Sequence, residues 1–128
     1  MAARIVRLGT ARSSGEGLRI GTVRRPPRGV PKAKFASQNW YDVWLPELSP
    51  SDATVKIGLK AESDADWKKF VRKYESEMSA ATPSRILDML AALSKEANFS
   101  VGCYCEDASR CHRSVLRRLL GERGAKLP

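Results

Sequence analysis

All three cysteines of the chain and its one histidine fall within ten positions, in the stretch VGCYCEDASRCHRS, as Cys103, Cys105, Cys111 and His112. Four kinds of chemistry compete for residues of these types. Three thiolates and an imidazole match a structural zinc set. The spacing here is C-x-C-x5-C-H, however, and adjacent helical residues such as Cys111 and His112 diverge by about 100°, so no metal is expected. A cysteine phosphatase needs an arginine six positions after its thiolate; Cys111 follows Cys105 at that distance and Ser109 follows Cys103, so the motif fails. A nucleophile and base, with Cys105 or Cys111 as the thiolate and His112 as its partner, needs only proximity and a helix start to receive an oxyanion. The fourth reading is packing alone, since cysteine is often buried and a histidine at a helix start is often only hydrogen-bonded.

The elements that must position these groups form a strand, a turn and a helix. Residues 99–105 (FSVGCYC) have β-branched and aromatic character, and period two puts Cys103 and Cys105 on one face with Tyr104 on the other. Two residues along a strand span roughly 6.5–7 Å, at the edge of disulfide reach. A tight turn over 106–110 offers Asp107 or Ser109 as a helix cap. Residues 111–123 then repeat Val115, Leu116, Leu119 and Leu120 at helical spacing, so that Cys111 and His112 point inward while Arg110, Arg113, Ser114 and Arg117 lie on the flank. The first turn of such a helix offers unpaired N–H groups and positive potential to an anion.

Upstream, 4–11 and 18–23 read as strands and 24–34 (RRPPRGVPKAK) as an irregular, strongly basic loop broken by prolines and a glycine. Residues 39–52 read as a short extended or helical piece followed by a turn, and 53–60 is ambiguous. Helices are predicted over 63–80, capped by Ser63 or Asp64, and 82–97, capped by Thr82 with Pro83 in the first turn. Their apolar stripes read as packing surface, and residues 124–128 as a frayed end. Strands first, helices in the middle and a closing strand–turn–helix give an α/β class: residues 1–128 as one compact domain with a small, mostly parallel or mixed sheet flanked by helices.

Lysine and arginine number 23 against 14 acids, a formal net charge of +9, which favours anionic partners. No apolar run approaches the roughly 20 residues that cross a bilayer, and the first residues lack an apolar signal core, so a cytoplasmic protein with no membrane partner is expected. No cofactor is expected either. One pocket is predicted where loop 24–32 meets the end of strand 99–105 and the start of helix 111–123. Arg24, Arg28 and Arg113 would grip an anionic small molecule or nucleic acid, helped by Gly29, Arg110 and backbone N–H groups near 109–112. Tyr104 or Trp44 would stack on a base, and Cys105, Cys111 and His112 would supply any chemistry. The alternatives are a nucleic-acid-binding module without catalysis, and an interaction domain that uses the Trp40–Trp44 segment at a dimer contact; oligomeric state is left open.

The strand ending C-Y-C, the acidic turn and the C-H-R-S helix start resemble the C-terminal signature of the domain-of-unknown-function 488 family. RRPPRG (24–29), WLPELSPS (44–51) and WKKFVRKYESEM (67–78) are similar to segments of its YeaO-like branch, with Arg24, Pro27, Arg28 and Gly29 at matching positions. Val23 and Pro26 stand where that branch has an aspartate and a tryptophan. The resemblance implies a compact α/β domain and assigns no reaction.

Overall fold

The computed structural model describes residues 1–105 and 111–128. Four strands, β1 (Ala3–Arg7), β2 (Leu18–Gly21), β3 (Val43–Trp44) and β4 (Phe99–Cys103), form one sheet of order β1-β4-β2-β3. Every pairing is parallel: Ala3 lies opposite Phe99, Leu18 also opposite Phe99, and Ile20 opposite Val43. The sheet is therefore wholly parallel, and β4, the last strand in the chain, runs through its middle.

Alternation along the strands sorts the residues between two faces. Ala3, Ile20, Phe99 and Val101 join Leu48, Phe70, Tyr74, Leu87, Leu90, Leu116 and Leu120 in the main core, between the sheet and the helices. Arg19 and Ser100 turn the other way, where both bond to the buried carboxylate of Glu16. The helices are α1 (Asp52–Leu59), α2 (Asp64–Met78), α3 (Ala81–Leu93) and α4 (His112–Glu122). Ser51 caps α1 by accepting from the Thr54 N–H, which settles the ambiguous 53–60 segment as helix, and Ser63 caps α2.

Several predicted boundaries move. Helix α3 starts at Ala81 with Ala80 in the cap position and no side-chain cap, so Thr82 lies inside the first turn. Pro83, needing no N–H partner there, allows the earlier start. The basic loop holds one short 3₁₀ turn, Lys32–Lys34. The predicted frayed end is tied down: Ala3 N–H donates to the Lys126 carbonyl, Lys126 N–H to Ser94 Oγ, and Leu127 packs on the core. Among the described residues no helix is long and apolar enough to cross a membrane.

Candidate functional site

In a parallel sheet the carboxyl ends of all strands open on one side, and there a ligand can meet the start of the next helix. Here β2 and β4 are neighbours, so the residues after Gly21 and those after Cys103 emerge side by side. They line a cavity of about 260 Å³. Val23, Arg24 and Arg25 stand on one wall; Cys103, Tyr104, Cys105, Cys111 and His112 stand on another; Trp67 and Phe70 of α2 add aromatic surface. Segments some 80 positions apart in the chain thus face one space.

Cys111 is the residue immediately before α4, in an extended conformation (φ −139°, ψ 154°), and His112 is the first helical residue. The predicted caps Asp107 and Ser109, and the candidate Arg110, lie outside the described residues. His112 Nε2 lies 2.8 Å from the Thr22 carbonyl and 3.1 Å from Thr22 Oγ. A carbonyl can only accept, so the proton sits on Nε2 and the Nδ1 lone pair is left free. Nδ1 lies 3.8 Å from Cys111 Sγ. Tyr74 packs against the imidazole with the two rings steeply inclined, their centres 5.5 Å apart. Burial lowers the His112 pKa to about 4, with the Arg113 charge working the same way against Cys105 and the Thr22 hydrogen bond; the ring is a neutral base at pH 7.

Two of the three thiols are in direct contact: Cys103 Sγ lies 2.6 Å from Cys111 Sγ, while Cys105 stands on the same cavity wall. All three are free cysteines; Cys103 and Cys111 are buried and Cys105 is exposed. Cys111 is the one favoured as thiolate: bonds from Cys103 and Cys105 outweigh burial, and the Arg113 backbone N–H and charge add to them. Bonding to the other two thiols, with burial, pushes Cys103 up. Cys103, Cys111 and His112 place their ligating atoms within 4.8 Å of one another and could hold a metal ion. The divergence expected of two adjacent helical residues does not arise, because the extended backbone of Cys111 keeps its side chain off the helical register.

The arginines divide. Arg24 reaches the cavity but donates from Nε and Nη2 to the carbonyls of Ser49 and Pro50. Arg25, which sequence reasoning passed over, lines the same cavity and pairs with Asp52 through an exposed bridge. Arg28 lies elsewhere, in an open basin of about 580 Å³ with Arg7, Arg25, Trp40 and Tyr104. Gly29 lines neither space and is exposed. Arg113 is not on the flank as expected: it is buried, and its Nη2 donates to the Cys105 carbonyl at 2.6 Å. Its side chain fits inside because it can bond the strand end there. Tyr104 borders both spaces and donates to the Arg25 carbonyl. Trp44 faces away from the cysteines; it donates to the Val23 carbonyl and borders a third concavity near Tyr41.

Thr22 was also missed. Nothing in its spacing marks it, since its role follows only from β2 lying next to β4. Trp67 and Phe70 could be found as a helical stripe, but that pattern does not say that part of the stripe borders a cavity.

A family model, DUF488-N3a, described as the active DUF488-N3 subclade, matches residues 3–124. No curated protein and no solved structure matches the chain.

Proposed function

We infer the function from this premise: the chain belongs to the DUF488 family, in the subclade described as active. The cavity beside Cys105 and His112 binds a small ligand with an anionic, phosphate-bearing group and an apolar or aromatic body, of the nucleotide class. The observation that carries this reading is the joint lining of one cavity by Arg24, Arg25 and the start of α4. Two guanidinium groups and a helix N-terminus favour negative charge. Trp67, Phe70 and Tyr104 offer flat apolar surface to the rest of the ligand. At about 260 Å³ the space falls just under the range of about 300–1,000 Å³ that encloses drug-sized molecules, so the ligand is small. Cys105, Cys111 and His112 form the wall that would act on it, and the subclade's description as active supports treating that wall as reactive.

The test is a titration with inorganic phosphate and with a nucleoside monophosphate, alongside a crystal soaked in phosphate. Density between Arg25 and residues 111–113, and at least about tenfold weaker binding in Arg25→Ala (about 1.4 kcal/mol), are expected. No binding at millimolar ligand, or density only at a distance from both segments, overturns the reading.

A second reading, nucleic-acid binding without catalysis, has its own support in the basin of Arg7, Arg25, Arg28, Trp40 and Tyr104, which gathers cationic and aromatic groups. Binding of a single-stranded oligonucleotide that weakens steeply with salt, and that Arg28→Ala impairs, would favour it.

A further inference from the structure

We propose that Cys103, Cys111 and His112 hold a thiophilic divalent metal ion of the zinc class, with Cys105 closing the coordination shell from the cavity side. The inference goes beyond the ligand-binding reading and stands without it, since an ion can bind whether or not the cavity takes a phosphate.

Four observations carry it. The ligating atoms of Cys103, Cys111 and His112 all lie within 4.8 Å of one another, and all three residues are buried. They arrive from distinct backbone positions: the end of β4, the extended residue before α4, and the first residue of α4. The imidazole is already set as a metal ligand would be. Its Nε2–H is committed to the Thr22 carbonyl, and Nδ1 faces Cys111; outer partners of this kind fix the tautomer of ligating histidines. Finally, Cys105 lines the same cavity wall as Cys103, Cys111 and His112 and is exposed, so it stands on the open side of the three buried ligands.

Sulfur with imidazole selects zinc-like ions over magnesium or calcium. A tetrahedral ion with Zn–S bonds near 2.3 Å would spread the two buried sulfurs, now 2.6 Å apart, to about 3.7 Å. Each ligating sulfur that still carries a proton releases it to solvent as its bond to the metal forms; no electrons move and the metal stays divalent. The buried guanidinium of Arg113 and the start of α4 supply positive potential that favours the thiolates.

The experiment uses the full chain, purified under reducing conditions, stripped by a chelator, then loaded with Zn(II) or Co(II) and freed of excess. About one equivalent of metal per chain is expected, as for a single closed site. The cobalt form should show a near-ultraviolet thiolate-to-cobalt charge-transfer band and the strong visible absorption of a tetrahedral site. Cys103→Ala and Cys111→Ser should fall below about a tenth of an equivalent; Cys105→Ser should keep the metal and lose about a third of the charge-transfer intensity, one sulfur of three. If the buried-cysteine variants do not fold, the cobalt spectrum of the unmodified chain decides alone. Less than about a tenth of an equivalent in that chain, cobalt without the thiolate band, or a Cys103–Cys111 disulfide that persists in the same reducing buffer would each overturn the proposal. Phosphate binding is measured on the stripped protein, so failure of one reading is visible apart from the other.

Discussion

At the residue scale, the buried charges of Arg19 and Glu16 are paired with each other. Arg19 is fully buried; its Nε and Nη2 bond both carboxylate oxygens of Glu16, and Nη1 bonds the carbonyls of Thr10 and Asn39. Burial alone would raise the Glu16 pKa, but bonds from Arg19, Ser100 and the Ser13 backbone hold it at about 2, against 4.5 for a free group. Because the folded value is depressed, the stabilisation is complete above pH 4.5 and disappears as pH falls toward 2. A denaturant titration across that window should lose about 3 kcal/mol for this group. Glu16→Gln should be flat for this group over the same window and about 3–5 kcal/mol less stable at pH 7, since it leaves a buried guanidinium without its counter-charge. Exposure separates the thiols in the same way. In metal-free native protein, mass spectrometry after brief alkylation should find one adduct, on Cys105, and three only after unfolding; a first adduct on Cys103 or Cys111 would contradict the burial described above.

At the element scale, close contacts set the frame of the site. A side chain on Gly102 would come within 2.6 Å of the Val6 carbonyl and 2.9 Å of the Leu8 side chain, so only glycine lets β1 lie flat against β4. Gly102→Ala should cost about 2–3 kcal/mol by overpacking, measured by urea unfolding. Between α1 and α2, Glu77 accepts from the Ser51 N–H, the Ser51 hydroxyl and the Thr54 hydroxyl. That latch fixes the carbonyls of Ser49 and Pro50, and they in turn hold Arg24. Ser51→Ala should lower stability by about 1–2 kcal/mol through loss of the cap. It should also weaken phosphate binding, which separates it from other variants of equal stability. The closing strand and helix were legible in the sequence because period two over 99–105 is followed by period 3.6 over 111–123. The latch was not legible: Ser51 and Glu77 stand 26 positions apart, and no local pattern links them. The contrast between Arg24 and Arg28 was hidden for the same reason. Both lie in one basic run, but Arg24 lines the cavity of the cysteines and Arg28 the open basin, and Tyr104, just past β4, borders both.

At the scale of the whole molecule, the α/β class and the meeting of the start of the basic loop with the end of β4 and the start of α4 could be argued from the sequence, but the strand order could not. Parallel pairs have no short turn to fix their neighbours, and β1, β2 and β3 are short. Nor could the sequence show the fate of residues 125–128, whose few polar and small residues resemble any loose end. Their ties to Ala3 and Ser94 predict that removing 125–128 lowers stability by about 2–3 kcal/mol, chiefly from lost Leu127 burial and the hydrogen bonds to those two residues; an unchanged urea midpoint would show the contacts to be inconsequential.

The position of β4 also bears on how the chain is made. During synthesis β1 emerges with nothing to pair with, and β2 has only the two-residue β3, until residues 99–103 have left the ribosome. The sheet cannot be completed until the strand that joins β1 to β2 has been made. Assembly is therefore expected to be late, governed by distant contacts and slow for a domain of this size. A nascent chain halted before Phe99 should be cut readily by protease, while one released whole should resist.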